Sequence, residues 1–383
     1  MTLIEPSWDL ARAKAASLGK CLPIESLQLS QCIGRVLATS ATSLVDLPTY
    51  ETSAMDGYAV TSEEGPWNVI GDVKAGAPFV GSLKAGEALS IATGAVIPKG
   101  TFGILRWEDA TINANVLDGK TTAEKDVRSS GAEAKCGEIL VEAGSVLTPG
   151  MVGLLAAAGL DKIDVIRKPK VALLLLGDEI QLEGIPHDGL VRDSLGPQLP
   201  SWLEKLGCEV KSLDHVADTL ELTIDAISRV LSHSDVVVTT GGTADGPRDY
   251  LQKAIESLGG KIHINSVAVR PGHPQMLGEI DGKIIVGLPG NPQSAIAALM
   301  TLGEPLFSAM LGRELPKLEL ITCDSVLEAQ LNFTRLVPGT VKDGEFMPGE
   351  YLGSAMLRSL AHAQGFVVLT NPATSVRWLK LPA

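Results

Sequence analysis

From Lys170 onward the chain alternates uninterrupted apolar runs with amphipathic stretches, and this alternation restricts its fold more than any other feature. VALLLL, CEVKSL, DVVVTT and KIIVGL read as strands, and residues 200–206, 220–231, 250–258 and 292–311 read as helices. Strands that are apolar along their whole length must be covered on both faces, which points to a mainly parallel sheet with helices on either side. In such sheets ligands bind beyond the carboxyl ends of the strands, and three glycine-bearing loops fall there.

The remaining chain has other textures. Apolar residues between 7 and 39 (Leu10, Ala13, Ala16, Leu18, Ile24, Leu27, Ile33 and Leu37) follow roughly helical spacing and predict a short helical scaffold. Residues 45–138 break into short β-like runs between glycines and prolines (YAV, WNVIGDV, ALSIATGAVI, FGILRWED), an all-β module. The segment LTPGMVGLLAAAGL, with proline near its start and glycine at its end, returns to helix. The last 70 or so residues, including VLEAQLNFTRLV and GFVVL, predict a small β domain.

A length of 383 residues suggests two or three domains. No uncharged apolar run approaches the roughly 18 residues of a membrane span, and no secretory signal is evident, so a soluble cytoplasmic protein is expected. Five scattered cysteines, Cys21, Cys32, Cys136, Cys208 and Cys323, argue against a disulfide framework or a cysteine zinc site. A net charge of -13 without a basic cluster excludes nucleic acid as a general partner, so any anionic substrate needs a local site.

Several short segments could supply one. Thr240, Gly241, Gly242, Thr243 and Gly246 lie in a strand-to-helix loop whose glycines would let backbone approach a phosphate; a tight connection explains them equally well. Pro289, Gly290, Asn291 and, one turn on, Ser294 form a second such loop, either a ligand turn or a rigid crossover. Arg270 and His273 sit on a proline-framed turn, RPGHP, and an arginine there suits an oxyanion or a surface ion pair. Asp178, Glu179, Asp193, Asp218 and Asp249 stand at strand ends or helix starts, where carboxylates converging on phosphates would hold magnesium, although Asp218 before Thr219 also suits helix capping.

In order, LPTYETSAMDGYAV, IATGAVIPKG with RWED, VALLLLGDEI, LGCEV, DVVVTTGGTADGPRDY, VRPGHP and GLPGNPQSA resemble the MoeA family, to which the gephyrin E domain also belongs. The resemblance implies an elongated scaffold (1–43 and 140–168), an inserted β module (44–139), a MogA-like α/β domain (169–312) and a C-terminal β barrel (313–383). It also implies molybdenum cofactor biosynthesis: molybdate enters adenylylated molybdopterin, with Mg2+ present and AMP released. The implied partners are a second copy of the chain sharing the cleft, a MogA-type adenylyltransferase and molybdoenzyme acceptors. Position by position, Asp56, Thr93, Glu179, Asp218 and Asp249 match the residues implied for catalysis, with Glu179 and Asp249 as metal ligands. Asp193, the glycine-loop residues, Arg270, His273, the PGN turn, Ser294 and Ser359 match the implied substrate contacts.

The chain departs from the family pattern at several positions. RPGHP replaces a lysine-bearing turn, Leu176 replaces a threonine, Leu195 an amide, Glu133 an aspartate, and GGTA replaces GGVS. The competing expectations are a cofactor-binding or scaffolding paralogue without turnover, a molybdopterin adenylyltransferase, and a relative that handles tungstate.

Overall fold

The structure is a computed structural model that describes residues 2–244, 246, 249–315, 317–323, 327–370 and 375–382. Its contacts divide the chain into two units, one of residues 1–25 with 166–383 and one of residues 26–165.

In the first unit a seven-stranded sheet runs in the order Leu3–Ile4, Lys261–Asn265, Met276–Ile280, Lys283–Leu288, Val236–Thr240, Lys170–Leu176, Glu209–Val216. The last four strands are mutually parallel, while Met276–Ile280 is antiparallel to both its neighbours. Alternate residues explain the unbroken apolar runs: Val171, Leu173 and Leu175 enter one core, and Ala172, Leu174 and Leu176 enter the other. The first core packs under Trp8, the helix Leu199–Lys205 and the helical run 292–310; the second packs under Leu220–Leu231 and Leu251–Ser257. Each fully buried side chain of this size contributes roughly 1.5–3 kcal/mol, which is why both faces stay covered.

The expected helix at 292–311 is three pieces, Pro292–Ala298, a π-turn Leu299–Gly303 and Glu304–Met310. Within the π-turn, Thr301 accepts a hydrogen bond from the fully buried Trp8 indole at 2.9 Å. The helical reading of 7–39 holds for Trp8–Leu18, capped by the Ser7 hydroxyl, and for a single 3-10 turn at Leu29–Gln31, whereas Ile24–Gln28 is a strand. Pro23 breaks the helical run, and ESLQ exposes and half-buries alternate residues with a period of two.

The C-terminal segment is a closed five-stranded barrel: Thr334–Lys342, Glu345–Pro348, Glu319–Thr322, Ser375–Lys380 and Gly365–Leu369, the last pairing back to the first. Phe346 and Trp378, 5.8 Å apart, fill its core with Val337 and Val367. Of the expected strand VLEAQLNFTRLV, Val326 lies outside the described residues, 327–333 are not strand, and pairing begins at Thr334. Val269–Arg270 adds to the barrel as an outside strand, parallel to Thr334–Arg335.

The second unit carries a six-stranded sheet in the order Gly103–Arg106, Gly57–Val60, Glu87–Ile91, Trp67–Val73, Val116–Gly119, Ala110–Asn113. It lies between scaffold pieces that include the pair Ala41–Thr42 with Ile139–Val141 and the helix Pro149–Ala157, capped by Thr148. Among the described residues no helix is long and apolar enough to cross a membrane.

Candidate functional site

The parallel strands end at one level, because Leu175 pairs with Thr240 and Thr240 with Leu288, so the loops that follow leave the sheet side by side. Gly241 and Gly242 have φ of 81° and 66°, in the left-handed region that favours glycine. A Cβ on Gly241 would lie 2.8 Å from the Leu176 carbonyl oxygen, and the Gly241 N–H donates to Leu288 O at 2.9 Å. The glycines therefore permit a tight crossing over Leu176. Thr240 and Thr243 are buried, and so is Thr239, whose hydroxyl has no partner among the described residues.

Asp249 closes this loop, its Oδ1 accepting from Ala244 N at 3.1 Å and its Oδ2 from Gly246 N at 2.8 Å. Asp178 and Asp218 are bound reciprocally: Asp218 N donates to Asp178 Oδ1 at 3.0 Å and Asp178 N to Asp218 Oδ2 at 3.3 Å. The Glu179 carboxylate folds back over Gly177, where a Cβ would come within 2.7 Å of its Oε2. Asp193 Oδ1 accepts from Leu195 N and Gly196 N at 2.9 and 3.0 Å, a side-chain turn ahead of the helix Leu199–Lys205. Leu195 itself is core.

No group of three or more histidines, cysteines or carboxylates is gathered for a metal among the described residues. Magnesium does not need one, because it keeps waters and commonly takes one or two carboxylates together with substrate phosphates. Glu179 and Asp249 supply oxygen donors of that kind, and Asp249 retains lone pairs beyond the two its loop uses.

A cleft of about 450 Å³ brings together five of the expected residues, Arg270, His273, Pro289, Asn291 and Ser294. Gly290 lies between them on the same turn, its Cβ position 3.9 Å from Gly241 Cα, so the two glycine loops touch. Sequence reasoning missed two polar residues of this cleft, Arg335 and Ser354. The Ser354 carbonyl accepts from Gln293 N and Ser294 N at 3.1 and 3.3 Å, and its hydroxyl meets Asn291 Nδ2 at 3.4 Å. Arg335 stands in register with Arg270 on the adjacent parallel strand, so both side chains leave on the same face.

Two like charges side by side repel, and among the described residues no carboxylate pairs with either arginine. Arg335 Nη1 donates instead to Glu328 O at 2.8 Å. In a chain of net charge -13 this cleft is a local cationic spot, suited to an oxyanion. His273 Nε2 lies 3.0 Å from Glu5 Oε1.

Ser359 is not part of this cleft. It lines another of about 400 Å³ with Tyr351, Arg358 and His362, where its hydroxyl accepts from Tyr351 N at 2.7 Å. In the second unit Thr93 N donates to Asp56 Oδ1 at 2.8 Å, which joins the two expected residues there; both are exposed. Their turn is braced by Arg106 of RWED, bound to Asp126 through two hydrogen bonds of 2.7 and 2.8 Å, while Asp126 O accepts from Ala54 N at 2.7 Å. The Arg106 hydrogen bonds hold the Asp126 carboxyl below its ordinary range.

Known proteins resemble the chain over both units. Residues 7–159 match the family described as MoeA N-terminal region (domain I and II), and residues 172–309 match a probable molybdopterin binding domain. A protein named molybdopterin molybdenumtransferase from Haemophilus influenzae is 32% identical over 301 residues, covering 76% of this chain and 74% of the relative. One of the same name from Staphylococcus epidermidis is 27% identical over 362 residues, covering 90% of this chain and 86% of the relative. The crystal structure titled molybdopterin biosynthesis moea protein from Pyrococcus horikosii superposes with a TM-score of 0.81 at 27% identity, over 99% of this chain and 100% of that one. Likeness that runs this far along both chains places the protein in the MoeA family of molybdopterin molybdenumtransferases.

Proposed function

We propose that the protein acts in molybdenum cofactor biosynthesis as a molybdopterin molybdenumtransferase, inserting molybdate into adenylylated molybdopterin with Mg2+-dependent release of AMP. The transferase reading follows from family membership. The observation that carries the oxyanion half is the pairing of Arg270 with Arg335 in one cleft, with Ser294 and Ser354 beside them. Two guanidiniums neutralise a doubly charged oxyanion and hold it in a fixed orientation, so the protein contributes positioning and charge compensation.

Glu179 and Asp249 would hold magnesium, which supplies charge neutralisation at the phosphates when bound. The loop of Thr240–Gly246 would carry the pterin phosphate or nucleotide. Asp56 and Thr93 would complete the site from the partner subunit of a homodimer, in a cytoplasmic protein divided into scaffold, β module, α/β domain and barrel. The test is incubation of the purified protein with adenylylated molybdopterin, molybdate and Mg2+, following AMP and reconstitution of a cofactor-free molybdoenzyme. Molybdate-dependent AMP and active enzyme are expected; tight pterin binding with neither product overturns the reading.

A further inference from the structure

Among the described residues, most arginines in ion pairs are held by the edge that carries their N–H groups. Arg106 sits on Asp126, Arg167 on Asp235 and Arg377 on Asp9, each through two hydrogen bonds to one carboxylate. Such a partner fixes the guanidinium and also occupies the donors that would bind a ligand. Arg270 is held differently. Its guanidinium carbon stands 5.2 Å from the ring centroid of Phe333, and among the described residues no carboxylate takes up its N–H groups.

Phe333 is itself braced. The His273 ring packs against it at 5.7 Å between centroids, and His273 is tied in turn to Glu5. Its backbone is held as well: Phe333 N donates to Gln330 O at 3.0 Å, and Thr334 N, next along the chain, donates to Ala268 O at 2.9 Å. The three residues Phe333 to Arg335 thus deliver both the ring under Arg270 and the second guanidinium of the cleft.

We infer that Phe333 is a positioning residue for oxyanion capture: its ring holds Arg270 without consuming N–H donors as a carboxylate would, with His273 and Glu5 bracing the ring. The inference rests on the oxyanion reading of the cleft and adds to it the means by which a guanidinium with no carboxylate partner among the described residues is kept in place. It also gives His273 a bracing role, where the sequence suggested a ligand contact.

The experiment measures the binding of molybdate alone to the full chain by titration calorimetry, for the native protein and for Phe333→Leu, Phe333→Tyr, Arg270→Ala and the Arg270→Ala/Phe333→Leu double variant. An exposed to partly desolvated cation–π contact predicts roughly 3- to 10-fold weaker binding for Phe333→Leu and near-native binding for Phe333→Tyr. In the Arg270→Ala background Phe333→Leu should have no further effect, because the ring acts through that arginine. In turnover, Phe333→Leu should raise the KM for molybdate by more than it lowers kcat. Equal losses from Phe333→Leu with and without Arg270 would show a general folding role and overturn the inference. Native-like binding by Phe333→Leu while Arg270→Ala loses binding overturns the inference and leaves the oxyanion cleft standing. Undiminished binding by Arg270→Ala overturns both.

Discussion

The two ends of the parallel sheet treat charge in opposite ways. Where the strands begin, Asp235 takes two hydrogen bonds from Arg167 at 2.8 and 3.0 Å and one from Lys170 N at 2.8 Å, with Lys283 at 3.8 Å. Beyond the ends where the strands finish, Asp249, Asp178 and Asp218 are engaged by backbone amides, while Arg270 and Arg335 meet no carboxylate among the described residues. At one end opposite charges satisfy each other and anchor the sheet. At the other the acids shape loops, and the two arginines, on barrel strands that line the same cleft as the loop after Lys283–Leu288, have no carboxylate partner among the described residues.

The largest effect expected from disturbing this contrast is on the open cations. Arg335→Ala should weaken molybdate binding by roughly 10- to 100-fold, the loss of one charge-assisted contact, with little change in melting temperature. A drop in melting with binding intact would make Arg335 a structural residue like Arg167. Next, Gly241→Ala should cost about 1–3 kcal/mol in chemical denaturation, since it forces φ 81° on alanine and drives a methyl into the Leu176 carbonyl. A native stability would show that the loop has room to spare.

A comparable or smaller change is expected at the acids that would meet magnesium. Glu179→Gln should slow metal-dependent AMP release about 10-fold, about 1.4 kcal/mol of barrier, without altering stability. Rates equal to the native protein would remove Glu179 from the site.

The smallest effect belongs to the paired end. Burial opposes ionisation of Asp235, but its bonds to Arg167 and Lys170 N prevail and hold its carboxyl below the usual range. A depressed folded-state value means that its stabilisation is present above the ordinary aspartate range and is lost as pH falls through the folded value. The acid limb of a stability–pH curve should therefore flatten in Asp235→Asn, and an unchanged limb would show that the pair adds nothing.

How far the sequence disclosed these regions depends on whether the cause was local. The runs VALLLL and DVVVTT announced strands covered on both faces, because each residue's burial depends only on the alternation along its own strand. Met276–Ile280 escaped notice because MLGEI, with a glycine at its centre, has no distinct period. Arg270 was legible from its proline-framed turn, whereas Arg335 and Ser354 join it from 65 and 84 positions away through barrel pairing and a loop carbonyl that leave no local pattern. The glycine loop showed that backbone came close to something; only the structure names Leu176 as one thing it approaches.

The graft of Val269–Arg270 onto the barrel has a consequence for ligand size. Neighbouring strands stand about 4.8 Å apart, so the main-chain ladder works as a ruler between the two guanidinium stems. A slip of one residue in that ladder would turn Arg335 to the opposite face and erase the pair outright. The distance between the two cations is thus written in the hydrogen-bond spacing of a two-residue splice, and one residue inserted between Thr334 and Arg335 would part the pair while leaving every cleft side chain in the sequence.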